Sequence, residues 1–267
     1  MAGIDGAPPQ GPGDPGGEDD PYRDADLYDL EYVDHTEDVA YYQAMAWQAE
    51  GEVLELACGT GRLTLPMARA GARLTAVDLS EAMLAGLRRR LGAEPPEVRA
   101  RVTARQGDFV TLDLGRRFPL VLWPFNALHH CRTDAQLHAA LDRLDQHLAP
   151  GGQIGLDAYL PDLALYDRDP NERFEERYMI DPATQQGVTS WEQGWWDAAR
   201  RTHHVVYHYQ SKAGLRRAHL QFTMWELVEL RAAFAAHGFE VVHEAEDFRS
   251  TPLAEGSLKY VAVLQRR

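Results

Sequence analysis

The stretch Glu52–Gly61, EVLELACGTG, constrains this chain more than any other. An apolar run with strand character ends in small residues, and a helical pattern opens at Arg62. A strand that passes into a helix through Ala57, Cys58, Gly59, Thr60 and Gly61 exposes main chain at the turn and lets a ligand approach it. This is the form of a nucleotide cradle. A dinucleotide fingerprint, G-x-G-x-x-G, started at Gly59 would put Thr64 at its third glycine, and started at Ala57 would lack its first. The spacing therefore disfavours NAD.

The rest of the chain supplies the elements that such a cradle needs. Strand patterns at Val53–Ala57, Leu74–Val77, Val102–Gln106, Pro119–Trp123 and Gln153–Asp157 alternate with helices at Arg62–Ala70, Glu81–Leu91 and Asp134–Leu148. The alternation predicts an α/β fold, a Rossmann-like, mainly parallel sheet with helices on both faces. Thr133 with Gln136 has capping-box spacing, and Pro150, Gly151 and Gly152 predict the stop of that helix. Thr223 with Glu226 predicts a second box, opening a helix that buries Leu227, Leu230 and Phe234 and ends at Gly238. Strands Phe239–His243 and Leu258–Leu264 then bring the five to seven.

Between Pro161 and Leu220 the crossover pattern is lost. Runs at Arg173–Ile180, Gly187–Asp197, Arg201–Tyr209 and Leu215–Phe222 predict antiparallel strands, with a turn at Lys212–Gly214. Inserted before the last helix, this small antiparallel sheet is expected to lie over the strand ends as a lid. Four segments result: an acidic tail, 1–20, too rich in Gly, Pro and Asp to fold; a core with an N-terminal flap, 21–160; the lid, 161–222; and the returning core, 223–267.

Composition narrows the function classes. The net charge is −14, but Met1–Asp38 holds twelve acids against one Arg, so −11 lies there and −3 in the remainder. The body is nearly balanced and carries no basic track, and Arg88–Arg90 reads as the solvated end of a helix, so no nucleic-acid partner is expected. No apolar run approaches a membrane span and no signal sequence opens the chain, which predicts a cytoplasmic protein without a membrane partner. Cys58 and Cys131 are too few for a disulfide framework or a four-cysteine zinc site.

With Ala57 in place of a glycine, Glu55–Gly61 resembles motif I, E/D-x-G-x-G-x-G, of the class I S-adenosylmethionine-dependent methyltransferases. The resemblance implies S-adenosylmethionine as cofactor and S-adenosylhomocysteine as product. It places the backbone of Ala57, Cys58, Gly59 and Gly61 at the methionine end, with Glu55 positioning it. Asp78, closing LTAVDLS, falls where the family has an acid for the ribose hydroxyls, and Leu79 and Met83 would flank the adenine. Gly107, Asp108 and Phe109 in QGDF fall where an acid reads the adenine amino group and the next residue packs beside the ring. Each acid alone reads as an ordinary cap or loop residue; their order and spacing carry the resemblance, from about Tyr28 to Arg267. Tyr28 and Tyr32 either anchor the flap or cover the cofactor.

The loop WPFNALHHC, Trp123–Cys131, resembles that of the amino-sugar N-methyltransferases, in which a Phe begins a short loop closing on a catalytic histidine. That alignment places Pro124 and Phe125 at the cofactor, Asn126 at the acceptor and His130 in the catalytic position, with His129 beside it. His130 reads as a base for an amine or hydroxyl, or as a partner of a loop carbonyl. The loop lacks the N/D-P-P-Y signature of base methylation. Three adjacent residues, His129–Cys131, cannot readily converge on one metal, so no metal is expected. Asp157 and Tyr159, at a strand end, are placed beside the acceptor pocket, as are Trp191, Trp196 and Tyr207 of the aromatic lid. Most lid rings are expected to be core. Of His203, His204 and His208, any one could reach substrate, while strand alternation argues against a shared metal.

Motif I and the lid also resemble those of bacterial N-terminal peptide methyltransferases. The expected activity is therefore N-methylation of a small-molecule or peptide amine in bacterial secondary metabolism, by a monomer or homodimer. O-methylation of a hydroxyl is the alternative, with a NAD-dependent oxidoreductase and a non-catalytic cofactor-binding scaffold behind it.

Overall fold

A computed structural model of the chain describes residues 20–181 and 184–267. The expected acidic tail, apart from Asp20, lies outside the described residues. The elements are α1 (Ala25–Glu31), α2 (Val39–Gln48), β1 (Glu52–Leu56), α3 (Thr64–Arg69), β2 (Arg73–Asp78), α4 (Glu81–Gly92), α5 (Pro96–Arg99), β3 (Val102–Gln106) and β4 (Phe118–Trp123). They continue with α6 (Asp134–His147), β5 (Leu148–Tyr159), α7 (Leu163–Tyr166), β6 (Phe174–Ile180), β7 (Gly187–Asp197), β8 (Thr202–Ser211) and β9 (Gly214–Thr223). The chain closes with α8 (Leu227–Ala236), β10 (Phe239–Ala245) and β11 (Lys259–Arg266).

The main sheet has seven strands in the order β10-β11-β5-β4-β1-β2-β3. Strands β1 to β5 pair in parallel, and β11 runs antiparallel to both β5 and β10. Strand order reverses between β1 and β4, and ligands of open α/β sheets bind beyond the carboxyl ends at such a switch point. The core beneath it includes Leu54, Leu56, Val121 and Trp123, all at most 2% exposed. Truncating one of these leucines to Ala would cost about 2–5 kcal/mol.

Two expected stop signals are used differently. The third helix ends at His147, and Pro150, Gly151 and Gly152 lie within β5, where the register against β4 shifts between Phe118/Leu148 and Leu120/Gln153. Gly152 is required there, since a Cβ would sit 2.9 Å from the Pro119 carbonyl oxygen. The second capping box is one turn later than expected: Glu226 caps α8 and Glu229 returns the bond, while Thr223 is the last residue of β9. In the first box Thr133 accepts from the Gln136 N–H, but the Gln136 side chain accepts from the Arg132 N–H.

Strands β6–β9 form a separate antiparallel sheet in sequential order. The acidic flap joins it to the core through ion pairs. Asp24 pairs with Arg216 of β9 and Glu31 with Arg177 of β6, whereas Asp26 and Asp29 pair with Arg89 and Arg90 of α4. Asp38 pairs with Arg62, and Glu37 with Lys259. The arginines that read as a solvated helix end thus hold α1. Among the described residues no helix is long and apolar enough to cross a membrane.

Candidate active site

The site begins where β1 ends. Ala57, Gly59 and Gly61 all have left-handed backbone, with φ of 53°, 56° and 86°. For Ala57 this costs roughly 1–2 kcal/mol relative to ordinary backbone. The turn is held from the neighbouring strand end: Cys58 N–H donates to the Val77 carbonyl, and Gly59 N–H donates to Asp78 Oδ2 at 2.8 Å. Ser80 N–H donates to Asp78 Oδ1, also at 2.8 Å. Burial raises the Asp78 carboxyl, and these amides partly offset the effect. The two glycines serve different ends. A Cβ on Gly61 would lie 2.4 Å from Leu87 of α4, so its smallness packs the helix, whereas above Gly59 the first neighbour is the Tyr28 ring at 3.8 Å.

Glu55 lies beneath the turn rather than in it. It is 1% exposed and accepts from the Thr64 hydroxyl at 2.7 Å, and burial pushes its carboxyl up to about 8. It fixes the start of α3 and so supports the cradle from beneath. Cys58 and Pro124 are likewise buried in the packing. Met83 is completely buried, so its flanking role is corrected to core packing, while Leu79 is 65% exposed at the strand end. Gly107 donates to the Asp78 carbonyl, and a Cβ there would meet Leu112 at 2.8 Å. Asp108 caps its own turn by accepting from Val110 N–H, and Phe109 packs edge-on against Trp123.

The flap closes over this crest as a chain of rings. Tyr28 and Tyr32 have centroids 4.8 Å apart, and Tyr32 meets Phe125 edge-on at 5.1 Å. The Arg62 guanidinium lies 4.4 Å above the other partner surface of Phe125, and Asp38 accepts both of its terminal nitrogens at 2.6 Å. Tyr22, from a 3-10 turn at Pro21–Arg23, accepts from the Ser80 hydroxyl through its carbonyl, and its own hydroxyl lies 2.9 Å from His130 Nε2.

Phe125 and Asn126 follow β4 with φ of 56° and 60°, and a 3-10 turn over Ala127–His130 comes next. This pair of left-handed residues is held by Asp157 of β5. Its carboxylate accepts from Phe125 N–H at 2.7 Å, from Asn126 N–H at 3.3 Å and from the Tyr42 hydroxyl. Asp157 is 2% exposed, and burial pushes its carboxyl up to about 6. Its expected place beside the acceptor is therefore corrected to an anchor under the loop. Asn126, 5% exposed, is also in the packing rather than lining a cavity.

The two histidines differ. His129 is fully buried with Nδ1 2.8 Å from the Thr223 carbonyl, and burial lowers it to about 4. It ties the loop to β9, which corrects its catalytic assignment. His130 faces Tyr22 and the Phe222 ring, whose centroid is 5.6 Å away; burial, with Arg132 and His129 nearby, lowers it to about 3. It is neutral throughout the physiological range.

Beside this loop lies a cavity of about 300 Å³ between the second sheet and the β5 end, lined by Tyr159, Tyr166, Phe174, Glu192, Tyr207 and Phe222 among others. Phe222 connects it to His130. Tyr159 and Tyr207 are at its wall. Trp191 is not: it stacks at 4.9 Å on His208 on the opposite face of the sheet, because it is one residue out of phase with Glu192. Trp196 backs the cavity by stacking on Tyr166 at 4.0 Å. His203 lines the cavity, while His204 stacks with Trp195 on the other face. Among the described residues no group of three or more metal-ligating side chains converges.

Tyr22, Asp38, Arg62 and Glu192 belong to this arrangement although no motif marks them. Arg62 adjoins the glycine turn in sequence, which is a usable signal; the others are brought in by tertiary contacts.

The strand order, the cradle at the switch point and the acid at the second strand end have the arrangement of a Rossmann-like methyltransferase fold. Residues 53–152 match the methyltransferase-domain family. It is 29% identical over 216 residues, 80% of its length, to the cypemycin N-terminal methyltransferase of a Streptomyces species, covering 83% of that protein. The CcbJ methyltransferase from Streptomyces caelestis superposes with a TM-score of 0.75 at 23% identity, over 93% of this chain and 98% of the other. The S-adenosylmethionine-bound amino pentose methyltransferase CalS10 from Micromonospora echinaspora superposes with a TM-score of 0.63 at 25% identity, over 89% and 96%.

Proposed function

We propose that this enzyme methylates an amine of a small-molecule or peptide acceptor in secondary metabolism. The observation that carries the reading is the union of the His130 loop with an aromatic cavity through Phe222. The names of the similar proteins, an N-terminal methyltransferase and an amino pentose methyltransferase, agree with amine chemistry.

The residues fit the cofactor. Gly59 presents backbone without a side chain, Asp78 presents a carboxylate at the crest, and Leu79 presents an uncovered apolar surface. In this reading Asp78 holds the ribose hydroxyls, Leu79 and Phe109 flank the adenine, and Asp108 accepts from its amino group. Tyr28 and Tyr32 cover the methionine end against water. When bound, the cofactor supplies a methyl group already activated by its sulfonium.

The protein's contribution is then chiefly position, which can be worth about 7–11 kcal/mol for well-oriented reactants. Asp157 fixes the Phe125 loop, and the loop fixes His130. A histidine lowered to about 3 is a poor base at neutral pH, because a general base works best with its pKa near the operating pH. Neutral His130 instead pairs with the Tyr22 hydroxyl and so ties the loop to the flap. A neutral amine needs no base before attack, whereas a hydroxyl does, and this favours nitrogen over oxygen.

The test is to incubate the purified protein with labelled S-adenosylmethionine and three acceptors: a peptide with a free N-terminal alanine, a nucleotide-linked amino sugar, and the corresponding hydroxy sugar. Methylation of either amine in preference to the hydroxyl is expected. Turnover of the hydroxy sugar alone would reverse the assignment.

A further inference from the structure

The cavity under the second sheet contains an acidic side chain that the cofactor reading does not use. Glu192 is on β7, in register with Tyr207 of β8, and both line the cavity. Tyr159, Tyr166, Phe174 and Phe222 put aromatic rings in the wall around it, beside aliphatic residues and Arg168. Among the described residues Glu192 makes no ion pair. Two cations act on it without pairing: Arg177, which pairs with Glu31, and Arg168, which lines the same cavity and lies 4.2 Å over the Phe174 ring. Burial accordingly pushes its carboxyl up to about 7.

A half-buried carboxylate among aromatic faces has poor company in the protein alone. A cation satisfies it on both counts, because an ammonium donates charge-assisted hydrogen bonds to a carboxylate and is attracted to ring faces. We infer that Glu192 is the specificity-determining residue of the acceptor cavity, holding a cationic amine group of the acceptor against the Tyr207 and Tyr159 walls. The inference rests on the methyltransferase reading and narrows the acceptor to one that carries an ammonium at neutral pH as a recognition group; an ammonium has no lone pair, so the nitrogen that takes the methyl group is a separate, unprotonated amine. Asp162, at the same cavity, is at the N-cap of α7 with its carboxylate accepting from Ala164 N–H, so it is the less available acid.

The probes are phenethylamine, cationic at neutral pH, and 2-phenylethanol, its neutral counterpart, titrated by ligand-observed NMR into protein saturated with S-adenosylhomocysteine. The amine is expected to bind wild-type protein about tenfold more tightly than the alcohol, the scale of one charge-assisted contact with ring faces. Glu192→Gln should abolish the preference while S-adenosylhomocysteine affinity and Tm hold, since no ion pair is lost. Glu192→Asp, which keeps the charge, should retain part of it. Equal binding of both probes to wild type, or a preference that survives Glu192→Gln, would overturn the assignment. So would a loss common to both variants, which points to packing. Failure to bind S-adenosylhomocysteine at all would instead strike the methyltransferase reading beneath it.

Discussion

Replacing Asp157 by Ala should loosen the acceptor loop more than it unfolds the protein. The carboxylate serves three donors, and leaving a buried donor unsatisfied costs about 1–3 kcal/mol each. The Asn126 N–H, at 3.3 Å, belongs at the low end, so the gross loss is about 3–7 kcal/mol. Against this stands the penalty for burying the charge. A carboxyl raised from 3.8 to about 6 carries about 3 kcal/mol of it at neutral pH, at 1.36 kcal/mol per unit of pKa. The net cost at pH 7 is then about 0–4 kcal/mol. The loop has its own incentive to leave, since Phe125 and Asn126 each hold left-handed backbone at roughly 1–2 kcal/mol. Released, they would carry His130 with them, and a displacement of about 1 Å at a reacting centre can cost about a hundredfold in rate. Asp157→Asn keeps one oxygen for Tyr42 and Phe125 and sheds the charge, so it should stay within about 1 kcal/mol of wild type. The measurements are urea unfolding at pH 7, S-adenosylhomocysteine affinity and single-turnover methyl transfer. An Ala variant that unfolds like wild type and turns over normally would show that Asp157 does not hold the loop.

Three other substitutions probe separate parts of the site. Asp78→Ala should weaken S-adenosylhomocysteine binding by tenfold or more, on the scale of about 1.5–3 kcal/mol for hydrogen bonds to a charged group, and calorimetry would show it; unchanged affinity would remove the ribose assignment. His130→Ala should reduce turnover far more than cofactor affinity, and because burial lowers His130 to about 3, the wild-type rate should show no limb from its titration between pH 5 and 9; a limb lost in the variant would restore the base role. Glu55 is raised from 4.5 to about 8, so the folded state holds a proton that the unfolded chain has released. Stability from this group is present below about 4.5 and is lost as pH rises through 8; Glu55→Gln should therefore melt higher than wild type at pH 9, with a shallower decline of Tm between pH 6 and 9.

The parallel sheet was legible because β1, β2 and β4 are apolar runs bounded by turn residues, and α4 and α6 carry side-chain caps at Ser80 and Thr133. Gly59, Asp78 and the loop from Phe125 were placed by their resemblance to family motifs, and the structure puts all three at carboxyl ends of strands. Side-chain commitments made across the fold could not be placed in that way. Glu55 and Met83 stand at motif positions, yet both point into packing, and His129 is taken by a carbonyl of β9 ninety-four residues away. Trp191 and Glu192 are neighbours in sequence, and only the strand pairing decides which of them faces the cavity. The acidic flap was read as a charge imbalance; its partners, Arg62, Arg89, Arg90, Arg177, Arg216 and Lys259, come from five different parts of the chain and carry no motif.

The electrostatics of the site can be understood from what it must accommodate. A sulfonium donor and an amine acceptor bring positive charge to one place, and a protonated histidine between them would repel both. Burial beside Arg132 keeps His130 neutral, so the Tyr22 contact survives without adding charge. Two carboxyls of the loop and the cavity are held up by the same dry surroundings, Asp157 to about 6 and Glu192 to about 7. Near neutral pH, Glu192 thus changes charge easily: it is an anion when a cation is beside it and is readily protonated when none is. An approaching ammonium would pull that carboxyl down and stabilise its own binding, whereas a neutral alcohol would find a partly protonated acid and gain little. The desolvation that makes His130 a poor base also raises Glu192, and in the proposed reading both favour an acceptor that carries amines over one that carries only hydroxyls.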